Sequence, residues 1–417
     1  MSHLRLSQLL ACSVPLLLAA GCTGRVVTPE EDRSSAEGPA FNQAGVDTRL
    51  IAAGREIFRY DDFGDWRFWT DTARLHELVE GVTPAQALAL GLKVDGDAVP
   101  PAVLAAVLAD PALLDDPATT RALLSLNAVV GLTAQVEGDH IVRMGTTCAF
   151  CHSTVDNSVT TGIGRRLDGW PNRDLAIGTI LSLLPGLADI AASLGVSTEA
   201  LRAEFESWGP GFYDARVNLD GQLAAPPVVL PPAYGLRGVG PETYTGEGPI
   251  SYWNAYVAVT QMHGKGSFSD PKLGVSISVP RSEDEVTSKL PALRAYQFSL
   301  PTPPPPAGSF DAAAAARGRV VFRGAGTCSR CHAGPTFTDH GNLHAPEETG
   351  MEATWAQRST TGKYRTTPLR GLWQHPPYFH DGSAETLEAV VDHYDGVLSL
   401  DLTAQQKADL VQYLRTL

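Results

Sequence analysis

Cysteine and methionine are scarce in this sequence, six and four among 417 residues. So few cysteines in so long a chain exclude a disulfide-built scaffold. The 43% hydrophobic content supplies enough apolar side chain for more than one core. Basic residues are also short. The 32 Lys and Arg against 46 Asp and Glu leave a net charge of -14, which repels polyanions and argues against nucleic acid as a partner. Long apolar runs are confined to the first two dozen residues. No later run approaches the roughly 18 residues of a membrane-spanning helix. Glycine and proline, by contrast, are plentiful at 40 and 30 and well spread, which predicts helices separated by many loops rather than long sheets.

The N-terminus reads as an export signal. Arg5, an apolar run from Leu9 to Ala20 and the sequence Ala19-Ala20-Gly21-Cys22 follow the order of a signal peptide, assigned to residues 1–21. The three small residues before Cys22 resemble a bacterial lipobox, although Leu18 stands one place earlier than that pattern prefers. The resemblance implies acylation of Cys22 and a lipid anchor. Several acyl chains, at about 0.8 kcal/mol per buried CH₂, would hold the protein firmly at a membrane in the periplasm or cell envelope. An ordinary secretory signal is the alternative. Residues 22–45, rich in Glu, Ser, Gly and Pro, suit a flexible tether.

Helical periodicity begins at Asp47, where Leu50, Ile51, Ile57 and Phe58 fall near one face and Asp47 or Thr48 can cap. Further helices are expected near 70–80, 101–108, 174–194 and 198–207, and Ser282 with Glu285 suggests a capping box for a helix reaching Phe298. The Pro- and Gly-rich stretch 209–250 reads as extended loop. Pro301-Thr302-Pro303-Pro304-Pro305-Pro306 is a stiff spacer that cannot continue a helix. It divides an N-terminal domain, 46–300, from a C-terminal one, 307–417. The latter is expected to hold helices from Asp311 to Arg323, near Glu385–Tyr394, and from Thr403, where Thr403 and Gln406 form another capping box.

Four of the six cysteines lie in two Cys-x-x-Cys-His runs, Cys148-Ala149-Phe150-Cys151-His152 and Cys328-Ser329-Arg330-Cys331-His332. Two thiols one helical turn apart can reach the two vinyl groups of a haem, and the following imidazole then faces the iron; the order is the signature of c-type haem attachment. It predicts two haem c groups, with His152 and His332 as iron ligands. A zinc site would place paired CxxC units about 15–20 residues apart, far closer than Cys151 and Cys328. A thioredoxin-like pair requires no His after each motif.

Beyond the motif, Lys363-Tyr364-Arg365-Thr366-Thr367-Pro368-Leu369-Arg370-Gly371, then Pro377-Tyr378-Phe379-His380-Asp381-Gly382-Ser383 and Thr386 to Val391, resemble the C-terminal haem domain of bacterial di-haem cytochrome c peroxidases. That superfamily also holds the enzyme that matures a tryptophylquinone cofactor and, more distantly, latex-cleaving rubber oxygenases. The resemblance covers roughly 311–417, while the N-terminal part diverges. It implies a mainly α fold with two cytochrome c-like haem domains and long loops. It also implies a sixth ligand to the C-terminal iron from the helix after the His380 stretch, at Tyr394 or its neighbour His393. His393 is favoured because neutral imidazole is the better iron ligand. For the N-terminal iron, Met262 and His263 are candidate ligands. Arg370 or Arg365 would hold propionates through bidentate bonds, and Gly169 to Arg173 would cover a haem face. Trp170, Trp208 and Trp253 are candidates for a tryptophan between the haems; His340, His344 and His375 sit in polar loops. The expected function is electron transfer to a redox partner protein. Peroxidase or oxygen-activating chemistry is the alternative, and a haem-bearing subunit of a larger complex a third.

Overall fold

The computed structural model describes residues 47–339 and 341–417. The expected signal peptide, Cys22, the tether and His340 lie outside the described residues. At 44% helix and 11% strand the chain is mainly α, as expected. Strands form six two-stranded ladders among the described residues, and none of these closes into a larger sheet. No helix of the described residues is long and apolar enough to cross a membrane.

Helix boundaries follow local chemistry. Asp47 caps the Thr48–Tyr60 helix by accepting from Arg49 N and Leu50 N. The run expected at 174–194 is two helices, Ile177–Ser182 and Leu187–Leu194, because Pro185-Gly186 interrupts the hydrogen-bond ladder. The Ser282–Glu285 box does not form. Asp284 instead accepts from Val286 N and Thr287 N, and the helix runs Leu290–Ser299. Both bonds of the Thr403–Gln406 box are made, at 3.2 and 2.9 Å, ahead of the Ala404–Leu414 helix.

Three main cores organise the chain. The first gathers apolar residues between Ala73 and Val217, Leu124, Leu187 and Leu201 among them. The second is central: Phe58 and Phe63 meet Tyr256, Met262 and Leu293, and the fully buried Trp355 and Tyr364 reach it from beyond the second CxxCH. The third packs the Ala312–Arg323, Leu387–Leu398 and Ala404–Leu414 helices through Phe322, Val391 and Leu410.

Candidate haem sites

A β-hairpin delivers the first motif. Strands Leu132–Glu137 and His140–Thr146 pair antiparallel, with Gly138-Asp139 between them. At the hairpin's exit the buried Asp65 carboxylate accepts from Thr146 Oγ1 at 2.6 Å, and Thr147 Oγ1 donates to Arg59 O at 3.2 Å. Gly131, at φ 83°, lets the hairpin close: a Cβ there would overlap the Phe150 backbone. The Ala149–His152 turn follows, with His152 N bonded to Cys148 O at 3.2 Å.

His152 Nδ1 lies 3.0 Å from the Pro231 carbonyl oxygen. A carbonyl only accepts, so Nδ1 carries the ring proton and Nε2 keeps its lone pair. Burial holds this imidazole down at about 4, in the neutral form that ligates metal, against a smaller upward push from the Pro231 bond. Burial also pushes the Cys148 and Cys151 thiols up to about 12, so both stay protonated.

The second motif repeats this arrangement on different scaffolding. Cys328–Arg330 form a single 3₁₀ turn, His332 N bonds Cys328 O at 2.9 Å, and His332 Nδ1 lies 3.1 Å from Phe337 O. Burial lowers the pKa of His332 as well.

The two candidates for the sixth position of the second site have different polar surroundings, although their rings lie 5.2 Å apart and both meet Phe379. His393 Nε2 lies 2.9 Å from the Thr349 carbonyl oxygen, so that nitrogen carries the ring proton and donates it there. Tyr394 instead lies near both Cys331 and Cys328; its phenol is pushed up to about 12 by burial, with the two thiols adding to the shift. The ring of Phe379 contacts it edge-on at 5.8 Å. Around the first site, Met262 is buried in the central core against which Cys148 packs. His263, at φ 63°, stacks its ring on Phe68 with centroids 3.7 Å apart.

A haem brings carboxylates that need donors, and the buried arginines test whether one fits. Arg173 donates Nη2 to His375 O at 3.3 Å and Arg365 donates Nη2 to Glu242 O at 3.0 Å. In both, the buried Nε and Nη1 have no hydrogen-bond partner, and burial lowers the guanidinium to about 10. Such orphaned donors are costly unless an anion meets them, and a propionate is of the right kind. Arg173 hangs from the first motif, since Asn172 N bonds Cys151 O at 2.9 Å. Arg365 follows Tyr364 in a strand paired with Leu343–His344. Arg370, by contrast, donates to the carbonyls of Gly235, Arg237 and Pro335, so its guanidinium ties three segments together. The chain's residues therefore fit haem, with Arg173 and Arg365 better placed for propionates than Arg370.

Of the three tryptophans, only Trp170 contacts an aromatic side chain beyond the Pro-rich stretch among the described residues. Its loop is tied to the first motif by Gly169 N on His152 O at 2.8 Å, and its ring meets Trp373 edge-on at 5.6 Å. Trp208 packs on Phe205 and Trp253 on Tyr256. Sequence reasoning passed over Trp373, which carries no motif of its own. His344, expected in a polar loop, has its Nε2 3.1 Å from Asp339 Oδ2.

These features define a haem-binding redox protein. No model of a known family matches the chain. Over 121 residues it is 32% identical to the methylamine utilization protein MauG of Methylorubrum extorquens, covering 25% of this chain and 34% of that protein. Over 151 residues it is 29% identical to the cytochrome-c peroxidase IdrP1 of Denitromonas iodatirespirans, covering 25% of this chain and 40% of that one. Among solved structures, a MauG-like protein associated with microbial copper homeostasis shares 23% identity over 34% of this chain and 55% of its own, with a TM-score of 0.26. The two curated relatives support a likeness to the di-haem cytochrome c peroxidase superfamily over about a quarter of the chain, which spans only about a third to two fifths of their length.

Proposed function

We propose that this chain is an exported di-haem c-type cytochrome that passes electrons through two covalently held haems. One observation carries the reading. Both CxxCH turns present an imidazole fixed through Nδ1 by a main-chain carbonyl, at 3.0 Å for His152 and 3.1 Å for His332, with Nε2 left for iron. Cys148 and Cys151 would hold one haem, Cys328 and Cys331 the other. Arg173 and Arg365 would take propionates, and Tyr394 would complete the C-terminal iron. Bound haem supplies the one-electron chemistry; the chain orients each iron ligand, keeps it neutral and excludes water. The net charge of -14 suits a basic redox partner protein, and Cys22 would tether the whole to a membrane. A pyridine haemochrome assay on protein from a cytochrome c-maturing host tests the core claim. Two haems are expected, and one after Cys148 and Cys151 are changed to Ser; none or one in the wild type refutes it.

The second reading is an enzyme that acts on peroxide or oxygen, and Tyr394 favours it. A phenolate is an anionic oxygen donor that stabilises iron in its higher oxidation states, as an oxidising catalyst requires and a simple carrier does not. Mixing half-reduced protein with hydrogen peroxide separates the two readings. Rapid consumption, abolished by His152→Ala, establishes the enzyme.

A further inference from the structure

We propose that the exposed face around the second CxxCH turn docks an acidic redox protein, although the chain as a whole is itself acidic. Residues 312–338 hold four arginines and neither Asp nor Glu, in a chain with 46 acidic residues against 32 basic. Among the described residues only one of the four, Arg317, is in an ion pair, with Asp409 at 2.7 Å. Arg319, Arg323 and Arg330 are exposed. Val320 stands beside them 72% exposed, more than any other large hydrophobic side chain of the described residues. Ala325 and Ala333, on either side of the motif, are exposed as well. An apolar centre with unspent charge around it is the anatomy of a protein interface, and guanidinium forks match carboxylates.

The fold gathers these residues in one place. Val321 and Phe322 hold the Ala312–Arg323 helix in the third core, which leaves Arg319, Val320 and Arg323 on its outer side. Gly326 N then bonds Val321 O at 2.8 Å and Thr327 N bonds Gly324 O at 2.9 Å, which folds the motif back onto the helix end. Burial pushes the Tyr413 phenol up, Arg319 and Arg323 pull it down, and Cys328 adds to the rise, so both arginines lie near the motif's first thiol. Arg330 stands inside the motif, between Cys328 and Cys331. On the Cys331 side, burial raises the thiol, Asp339 and Glu348 add to the rise, and Arg330 opposes them. Those two carboxylates lie against His344, at 3.1 and 3.4 Å.

The sign of the whole chain does not decide what docks here. Salt at about 0.1 M screens charges beyond about 10 Å, whereas a folded chain of this length has a radius of gyration of roughly 20 Å. A docked partner therefore reads the nearby arginines and not the sum of -14. The proposal rests on the carrier reading, since a carrier takes electrons from one protein and gives them to another. The acidic one of the two meets this face, and the basic one that the net charge suits meets a different face.

The test measures association by surface plasmon resonance on the immobilised full haem-loaded chain, so it reads the face whether or not electrons move. Haem counting, which tests the carrier reading, fails or succeeds separately. The probes are an acidic plant-type [2Fe–2S] ferredoxin and a basic mitochondrial-type cytochrome c, at salt concentrations where the screening length is about 30 Å and about 10 Å. The ferredoxin is expected to bind more weakly at the higher salt. Its affinity should fall about tenfold or more when Arg319, Arg323 and Arg330 are all changed to Glu, and by less when all three are changed to Gln. Cytochrome c should bind the Glu variant no more weakly than the wild type. No ferredoxin binding at the lower salt overturns the proposal, as does binding that the Glu variant retains. Loss of cytochrome c in that variant overturns it too. Phosphatidylglycerol vesicles that need these arginines while the ferredoxin does not would assign the face to lipid and overturn it as well. If the Glu variant fails to take up haem, the Gln variant decides by the same readings.

Discussion

Tyr394 lies beside the turn that carries Cys328 and Cys331, and a phenol ligates iron only after losing its proton. Its neighbour His393 donates from Nε2 to Thr349 O at 2.9 Å. Tyr394→Phe should therefore convert the C-terminal haem of the oxidised protein from low-spin to high-spin, whereas His393→Ala should leave its optical spectrum nearly unchanged. The opposite pair of results would restore His393 as ligand. His375 makes a different kind of prediction. Burial, helped by the nearby Arg173 charge, lowers it from the ordinary 6.5 to about 4. Below pH 6.5 the unfolded chain binds a proton that the folded chain refuses until about pH 4. The stabilisation is thus complete above pH 6.5 and is lost as pH falls to about 4, on the order of 3 kcal/mol. Urea unfolding at pH 7 and pH 4.5 should show a smaller loss in His375→Gln than in the wild type.

At the scale of elements, the Ala312–Arg323 and Ala404–Leu414 helices cross where Gly318 meets the Asp409 backbone, and a Cβ at Gly318 would overlap the Asp409 carbonyl. Arg317 clamps the same crossing by donating Nε and Nη2 to Asp409 at 2.8 and 2.7 Å. Gly318→Ala should destabilise the C-terminal part by about 1–3 kcal/mol, because neither backbone can yield. Chemical denaturation followed by haem absorbance would measure it, and an unchanged midpoint would mean that the helices slide apart freely. These helices were legible in the sequence because their caps are local: Asp311 and Thr403 sit three residues before the amides they accept from. The Leu132–Thr146 hairpin was missed although Gly138-Asp139 sits between alternating runs, the signal from which a turn can be read. The CxxCH turns were equally legible, since their chemistry is contained in five consecutive residues. What holds them was not. Pro231, Phe337 and Arg173 depend on side-chain direction and on chain segments brought together by the fold, which no local pattern encodes. The choice between His393 and Tyr394 lies beyond a local pattern for the same reason: a one-residue step along a helix turns a side chain by about 100°.

Across the whole molecule, the question is how the two halves communicate. The central core already joins them, since Trp355 and Tyr364 are buried among residues from the N-terminal half. The contact between Trp170 and Trp373 joins them a second time, and more directly for electrons. Gly169 and Asn172, on either side of Trp170, donate to the His152 and Cys151 carbonyls at 2.8 and 2.9 Å. Trp373 is anchored by Nε1 on Pro303 O at 3.3 Å, inside the Pro-rich stretch. Tyr234 meets Trp170 at 6.4 Å and bonds Gln374 through its hydroxyl at 3.1 Å, which locks the two rings in register. Large π systems in edge contact lower the barrier to electron tunnelling between halves that are otherwise separated by saturated side chains. Trp170→Leu removes the π system while keeping an apolar residue in place. If the tryptophan pair carries the current, flash reduction of one haem should be followed by equilibration with the other at least about tenfold more slowly than in the wild type, equivalent to about 1.4 kcal/mol of barrier. Both midpoint potentials should stay where they were, since Leu adds no charge near either iron. Unchanged equilibration would show that the current takes another route, and a shift in either potential would show that Trp170 shapes a haem pocket rather than bridging two.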